Sequence, residues 1–253
     1  MKFLLTPIVV LALFSLAPPV WSDNDREETT KFFQQIEPQA LLAFHRGLGL
    51  EKEGKYNEAL QAFQEAVKLQ ADYGEAYHHL GLAHARLKQY PQAVSAFKET
   101  VRLQPRWVEA HENLGAALSK TGQWATALAE FQEAAKLRPN RAENQYLLGV
   151  AYGKLGRHQE ALEAFTQAVK LEPNSVKALN NQGMAYIKLD RWQEAGNAFK
   201  KAVSLKADDA EARYGLCAYY INAGDRQAAA REFETLKRLD PKMAQKLADL
   251  LQK

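Results

Sequence analysis

The residues best suited to metal chemistry are histidines, and four of the six in the chain lie between positions 78 and 111. These four are His78, His79, His84 and His111, and His45 lies 34 residues before His79. Neutral imidazoles bind zinc or copper, but adjacent helical residues point in different directions, so His78 and His79 cannot both serve one simple site. No cysteine or carboxylate completes the usual ligand set. A metal carrier built on the His78–His111 region is therefore an alternative function, and we expect no cofactor.

Other catalytic signatures are missing from the sequence. It contains no glycine-rich phosphate loop and no Gly-x-Ser-x-Gly, His-Glu-x-x-His or Cys-x-x-Cys motif. The single cysteine, Cys217, cannot form an internal disulfide. We expect its thiol to be buried rather than reactive, because free cysteine usually packs as a small apolar residue. The sequence therefore predicts that the protein is not an enzyme.

A fixed sequence repeat accounts for most of the remaining residues. Phenylalanine recurs every 34 residues, six times without a gap, with an alanine four residues before it and a leucine six residues after it. The phenylalanines are Phe63, Phe97, Phe131, Phe165, Phe199 and Phe233. Self-similarity at one period over about two hundred residues predicts a stacked array and argues against an enzyme-like globule.

Each unit contains two helical segments. In residues 175–208, apolar and small residues recur at intervals of three and four in a first segment and again in a second. The first set is Ala178, Leu179, Gln182, Gly183 and Tyr186, and the second is Trp192, Ala195, Phe199, Ala202 and Leu205. A proline follows the recurrent leucine by two residues in four units, and we expect it to end the second helix. These prolines are Pro105, Pro139, Pro173 and Pro241.

Glycine marks two further positions of the unit. One lies inside the first helix, at Gly47, Gly81, Gly115, Gly149 and Gly183, with Cys217 in the sixth unit. A helical glycine costs roughly 0.5–1 kcal/mol relative to alanine, so we expect a close contact in which it faces the recurrent alanine of the second helix. The other position lies between the helices, at Gly54, Gly122, Gly156 and Gly224, where glycine can adopt positive φ. Lys88 and Asp190 replace it in two units, and we expect those turns to be strained or differently closed.

These features resemble the tetratricopeptide repeat, a 34-residue helix–turn–helix unit with a small residue followed by Tyr, Ala, Phe and Pro at set offsets. Tyr152, Tyr186 and Tyr220 fit the tyrosine position, whereas Leu50, His84 and Leu118 replace it. The resemblance covers residues 40–243 and implies an all-α fold, a right-handed α-solenoid of helix–turn–helix repeats. The six units are 40–73, 74–107, 108–141, 142–175, 176–209 and 210–243, followed by an expected capping helix at 244–253.

Both ends of such an array need a cover, because each repeat contacts only its neighbours. At the C-terminus, an apolar stripe runs along an otherwise charged helix at Met243, Leu247, Leu250 and Leu251. At the N-terminus, residues 23–39 begin as an acidic linker and end in Thr30–Pro38. There Phe32, Phe33 and Ile36 resemble the tail of a degenerate second helix. The sequence leaves open whether this half-repeat packs against the first repeat.

The N-terminus predicts export. Lys2 precedes a largely apolar stretch at 3–17, followed by Pro18-Pro19 and by Val20-Trp21-Ser22. This pattern is typical of a secretory signal peptide, residues 1–22, cleaved after Ser22. The alternatives are an uncleaved anchor, because residues 3–22 are uncharged and just long enough to span a bilayer, or a segment that is neither. Peptide and anchor would both carry residues 23 onward across the membrane, to the periplasm or cell envelope, because the early positive charge stays inside.

In the tetratricopeptide family the first helices line a concave face, where an extended peptide or a partner helix lies. Three rows of residues are carried over to that face by position. The mixed row is Phe44, His78, Glu112, Tyr146, Asn180 and Tyr214. The apolar row, four residues on, is Leu48, Leu82, Ala116, Val150, Met184 and Ala218. The basic row, four residues further, is Lys52, Arg86, Lys120, Lys154 and Lys188, and it ends in Asn222.

These rows predict a binding groove. Residues four apart are neighbours on a helix, so the rows lie side by side. We expect Phe44, Tyr146 and Tyr214 to be exposed anchors beside an apolar floor and a basic edge. Such a groove suits an acidic or amphipathic segment. The basic row has an alternative explanation in solubility and in the favourable placement of cations at helix C-termini.

The sequence thus predicts an exported, non-catalytic scaffold or assembly factor that binds a protein or peptide partner in its groove. A net charge of +3 gives no indication of nucleic-acid binding, and membrane contact is expected only through an uncleaved N-terminal segment. A self-associating scaffold is the main alternative, so a homo-oligomer is compatible with the sequence. The metal carrier is the weaker alternative.

Overall fold

The computed structural model describes residues 36–251, with side chains described for residues 36–248. The predicted signal peptide, the acidic linker and Phe32-Phe33 lie outside the described residues, as do the side chains of Leu250 and Leu251. Residues 36–251 form thirteen α-helices and no strand. They are α1 (Pro38–Lys52), α2 (Tyr56–Leu69), α3 (Gly74–Arg86), α4 (Tyr90–Leu103), α5 (Val108–Lys120), α6 (Trp124–Leu137), α7 (Ala142–Lys154), α8 (His158–Leu171), α9 (Val176–Lys188), α10 (Trp192–Leu205), α11 (Ala210–Asn222), α12 (Arg226–Leu239) and α13 (Pro241–Leu251). None of these thirteen helices combines the length and the apolar character needed to cross a bilayer.

Two compact units divide the chain, the first up to Ala76 and the second from Tyr77, with the boundary inside α3. In the first unit, α1 packs against α2. In the second unit, α4 packs against α5, and each following helix packs against the next through to α13. First helices of successive repeats also touch, α7 with α9 and α9 with α11. The second unit is therefore a stack of helix pairs whose first helices share one side.

All six second helices end at the recurrent leucine, two residues before the proline position. They end there even where Ala71 or Ala207 replaces proline. In those two units the residue after the leucine, Gln70 or Lys206, has an extended backbone, while its N–H still donates to the carbonyl four residues back. Proline is thus compatible with the helix end but is not required for it.

The capping helix α13 begins at Pro241, three residues before the expected start at position 244. The Asp240 carboxylate accepts a hydrogen bond from the Met243 N–H at 2.9 Å, and proline suits the first turn of a helix. Ala244 and Leu247 are buried in a cluster with residues of α11 and α12. Helix α13 therefore covers the last repeat.

The helical glycines contact phenylalanine rather than alanine, so the predicted glycine–alanine contact is wrong. A Cβ atom on Gly149 would lie 2.5 Å from Cε1 of Phe165 in the same repeat. The other four helical glycines meet their own phenylalanines in the same way. Each glycine leaves room for an aromatic ring, which needs far more space than a methyl group. In the sixth repeat Cys217 fills the glycine position, and Phe233 alone among the six phenylalanines is only partly buried.

The two turns without glycine adopt the same left-handed conformation as the other four. Lys88 and Asp190 have φ values of 60° and 59°, and the glycines of the other turns have φ values of 74–81°. The turns are therefore not differently closed, and because a left-handed conformation costs an L-residue roughly 1–2 kcal/mol, we expect both to be strained. At Asp190 the carboxylate also accepts a hydrogen bond from Trp192 Nε1 at 2.7 Å. Lys88 is therefore the simpler place to measure the strain.

Replacing Lys88 with glycine is expected to stabilise the protein by about 0.5–1 kcal/mol, because the strain relieved exceeds the entropy that glycine adds to the unfolded chain. The reverse change at an equivalent turn, Gly156→Ala, is expected to destabilise it by about 1 kcal/mol. Urea unfolding followed by circular dichroism measures both free energies. A loss of stability in Lys88→Gly would show that this turn is not strained.

Candidate functional site

Three members of the mixed row are buried, so this row is not a continuous exposed surface. They are Phe44, His78 and Asn180. The prediction that Phe44 is an exposed anchor is wrong, because its ring lies within the first unit, with its centroid 5.8 Å from that of Phe63 and 5.0 Å from that of Tyr73. Tyr73 is the last residue of its repeat, 29 positions after Phe44.

The same offset of 29 positions buries the other two residues. The His78 ring centroid lies 4.3 Å from that of Trp107, and burial lowers the pKa of His78 to about 4, so the ring is neutral at neutral pH. Asn180 Nδ2 donates to Asp209 Oδ1 at 2.8 Å, and Asp209 also caps α11. In these three repeats the last residue therefore covers the mixed-row residue, and neither His78 nor Asn180 is free to meet a partner.

Tyr146 and Tyr214 remain half-buried and present part of their rings. The residue 29 positions after Tyr146 is the small Ser175. The Tyr146 ring centroid lies 5.9 Å from that of Phe165 and 4.6 Å from Lys177 Nζ. Burial raises the pKa of the Tyr146 phenol, so its hydroxyl stays protonated. Rings that are held on one side and open on the other are suited to anchoring a partner.

Carboxylates near the starts of α5 and α7 are compensated by cations. Arg141 Nη1 lies 3.3 Å from Glu109 Oε1 and 3.0 Å from Glu112 Oε1. The contact between Arg141 and Glu112 is an ion pair without hydrogen-bond geometry. Burial raises the pKa of the Glu112 carboxyl. Glu143 forms an ion pair with Lys177 of the next repeat. The starts of α5 and α7 therefore offer little net charge to a partner.

The apolar and basic rows are accessible along the second unit. Met184 and Ala116 are exposed, and Leu82, Val150 and Ala218 are half-buried. The cations Arg86, Lys120, Lys154 and Lys188 are exposed. Within residues 36–251 none of these four has a carboxylate oxygen within 4.0 Å. In the first unit Leu48 is half-buried and Lys52 is exposed. The basic row thus carries positive charge that the described part of the chain does not pair.

A pocket of about 330 Å³ lies between α9, α11 and α13 of the second unit. It is lined by Asn180, Asn181, Met184, Glu211, Tyr214, Met243 and Lys246. Methionine side chains adapt to irregular apolar shapes, so the pocket can take an apolar side chain of a peptide. The Asn181 amide, the Glu211 carboxylate and the Lys246 ammonium supply polar contacts. The sequence analysis missed Met243 and Lys246 as site residues. The Asp240-Pro241 start of α13 is the signal that could have found them.

The histidines are not brought together as a metal site. Among the residues from 36 to 251, no group of three or more His, Cys, Asp or Glu side chains is arranged to hold a metal ion. His84 is buried, with Nδ1 2.7 Å from Gln89 Oε1, and His111 Nδ1 lies 2.8 Å from Glu130 Oε2. Cys217 is also buried, and burial raises the pKa of its thiol to about 11, so little of it is thiolate at neutral pH.

The comparison with protein families matches the same repeats. Models described as "Tetratricopeptide repeat" match residues 74–107, 108–172, 146–212 and 186–253, and one described as "TPR repeat" matches residues 50–88. The chain belongs to the tetratricopeptide repeat family. The predicted fold class, an all-α solenoid of tetratricopeptide repeats, is thereby confirmed. A comparison with curated proteins finds no match.

Solved structures of other tetratricopeptide repeat proteins are similar to this one. MamA from Desulfovibrio magneticus RS-1, residues 41 to the end, has a TM-score of 0.65 and 27% identity, over 69% of this chain and 98% of that one. PilF of Pseudomonas aeruginosa has a TM-score of 0.69 and 18% identity, over 83% and 97%. YrrB, described as a TPR protein with an unusual peptide-binding site, has a TM-score of 0.64 and 23% identity, over 72% and 94%. These similarities show that this chain shares the tetratricopeptide repeat fold with the three proteins.

Proposed function

We propose that this tetratricopeptide repeat protein is an exported, non-catalytic scaffold or assembly factor that binds an acidic, amphipathic segment of a partner protein. The binding surface is the first-helix face, defined as the apolar and basic rows of the second unit together with Tyr146 and Tyr214. The observation that carries the proposal is the basic row, whose cations meet no carboxylate within residues 36–251. This row lies four residues along each first helix from the accessible apolar row. Export rests on the N-terminal pattern of Lys2 followed by the uncharged residues 3–22.

The face binds through two kinds of contact. Apolar side chains of the segment lie on the apolar row, with Tyr146, Tyr214 and the pocket beside Met184 holding the larger ones. Acidic side chains of the segment meet the basic row, which speeds the encounter and sets the orientation. Because the packed helices hold the face in place beforehand, binding orders few residues of this chain. The peptide-binding site described for YrrB is a precedent in the same fold.

Self-association is the second candidate, because Leu42 at the start of α1 is exposed in the described part of the chain. Size-exclusion chromatography with light scattering separates the candidates. A monomer favours capture of a different protein, whereas a defined oligomer favours a self-assembling scaffold.

Reversing the charge of the basic row with Lys120→Glu, Lys154→Glu and Lys188→Glu is expected to reduce partner retention about tenfold or more. Rim charges act mainly on association and on its salt dependence, so the remaining binding should also respond less to salt. Partner protein recovered from the native cell envelope after mild cross-linking, and measured by mass spectrometry at low and high salt, gives both quantities.

The matched control changes three exposed lysines of second helices, Lys170→Glu, Lys201→Glu and Lys237→Glu. It alters the net charge of the protein equally but leaves the first-helix face intact. Equal retention by the two triple variants would contradict the proposed role of the basic row.

A further inference from the structure

The third residue of each repeat is buried in every unit except the first. Exposure is 0–1% for Ala76, Ala110, Asn144, Ala178 and Ala212, whereas Leu42 is 73% exposed. Leucine is also a larger apolar side chain than alanine. At this position the first repeat therefore exposes a large apolar side chain, whereas the other five repeats expose almost no surface. This difference is not explained by binding on the first-helix face.

In the second unit this position faces the preceding repeat. Asn144 at the start of α7 donates to the Ala134 carbonyl of α6 at 2.9 Å. Ala212 of α11 lies in one cluster with Ala202 of α10. By its position in the repeat, Leu42 is therefore expected to pack against a preceding segment. Within residues 36–251, however, no helix precedes α1.

On α1, the side of the helix that would receive this segment carries Leu42, Arg46 and Gly49, and it is apolar only near Leu42. The next two positions on it, four and seven residues on, are buried in the five later repeats. In the first repeat they are Arg46 and Gly49, both exposed, and Arg46 forms an ion pair with Glu65 of α2. A whole helix, or the end of a second copy, would cover that ion pair and meet no apolar surface there. The patch around Leu42 instead fits a short segment with one or two large apolar side chains.

We propose that the chain's own residues Phe32 and Phe33 pack on Leu42 and close the N-terminal end of the array. The segment is held at its end, because Ile36 is buried and the Glu37 N–H donates to Gln70 Oε1 at 2.8 Å. Phe33 is three residues before Ile36, within about 10 Å at full extension. Leu42 is four residues into α1, about 6 Å along the helix, so the ring can reach it.

The short tether favours this occupant over a second copy of the chain. Linking two contacting groups by a few residues gives an effective concentration in the millimolar range or above, so an intrachain contact forms before an equal contact between copies. Phe32 and Phe33 lie after the predicted cleavage at Ser22, so the processed chain keeps them. The segment thus acts as a cap that prevents association through this end, and this role is independent of the proposed partner binding.

The test is disulfide formation in the full chain between cysteines at positions 33 and 42, in the variant Phe33→Cys/Leu42→Cys. Its matched control is Phe33→Cys/Leu41→Cys, which has nearly the same tether length but places the second thiol about 100° away around the helix. Buried Cys217 is a poor competitor, because its thiol is mostly protonated. Under mild oxidation we expect the first pair to close within one chain about tenfold faster than the second. Equal rates would overturn the proposal.

Mixing two differently tagged copies separates intrachain from interchain closure. Disulfides that join the two tags would show that a second copy covers Leu42, and would also overturn the proposal. A further measurement does not depend on disulfide geometry. In Leu42→Cys alone, we expect the additional change of Phe32 and Phe33 to alanine to raise the rate of thiol alkylation about tenfold. An unchanged rate would show that these rings do not cover position 42.

Discussion

Replacing Phe165 with alanine is expected to lower the free energy of unfolding by about 3–5 kcal/mol. Phe165 is buried in a cluster with Ala161, Leu162 and Ala185, and its ring fills the space that Gly149 leaves on the first helix. These neighbours are small or fixed in helices, so they cannot collapse into the cavity that alanine would leave. Urea denaturation followed by the helical circular dichroism signal measures the loss.

Phe233→Ala is the matched control for this substitution. It makes the same change at the same position of the repeat, but Phe233 is only partly buried, in a cluster that contains Cys217 instead of glycine. We therefore expect a smaller loss, about 1–2 kcal/mol. Equal losses in the two variants would mean that the fit of ring to glycine does not determine repeat stability.

The double substitution Tyr146→Ala/Tyr214→Ala is expected to weaken partner binding about 100-fold or more. Truncating an aromatic anchor commonly costs about 2 kcal/mol or more, and a tenfold change in affinity corresponds to about 1.4 kcal/mol. Both rings are half-buried and lie outside the recurrent phenylalanine position, so the helical content should be unchanged. Titration of the protein with the partner recovered by cross-linking measures the affinity, and circular dichroism measures the fold.

Tyr152→Ala/Tyr186→Ala is the control for the anchors. These tyrosines are also half-buried and on first helices, but their rings contact Arg157 and Arg191 near the turns, with guanidinium carbons 4.6 and 4.7 Å from the ring centroids. We expect this variant to retain most of its affinity. Unfolding of the Tyr146/Tyr214 variant, or an equal loss of affinity in both, would show that the anchors are wrongly assigned.

The repeat period predicts the helices well, because helix ends and turns depend on residues close together in sequence. The recurrent leucine marks the end of every second helix, with or without proline. For Lys88 and Asp190 the turn spacing left either strain or a different closure open, and the structure shows that both are left-handed like the glycines. The start of α13 was the exception, because the capping effect of Asp240 overrides the spacing of the earlier units.

The exposure of the mixed row could not be predicted from repeat position, because it depends on a residue 29 positions later. Phe44 is covered by Tyr73 and His78 by Trp107. The covering residue changes type from repeat to repeat, so residues at one repeat position differ in burial. The same limit applies to the helical glycines, whose spacing shows a close contact but not that its partner is a ring. The position of a residue on a helix thus predicts the direction of its side chain. Whether that side chain is exposed depends on which residue packs on it.

The most direct test of partner binding on the first-helix face is site-specific photo-crosslinking in the native cell envelope. A photoreactive amino acid is placed at Val150 or Met184 of the apolar row, and for comparison at Glu163 or Asn197, which are exposed on second helices. We expect adducts with one dominant partner protein from positions 150 and 184 and none from 163 and 197. Adducts from the second-helix positions alone, or only with further copies of this chain, would contradict the proposed binding face.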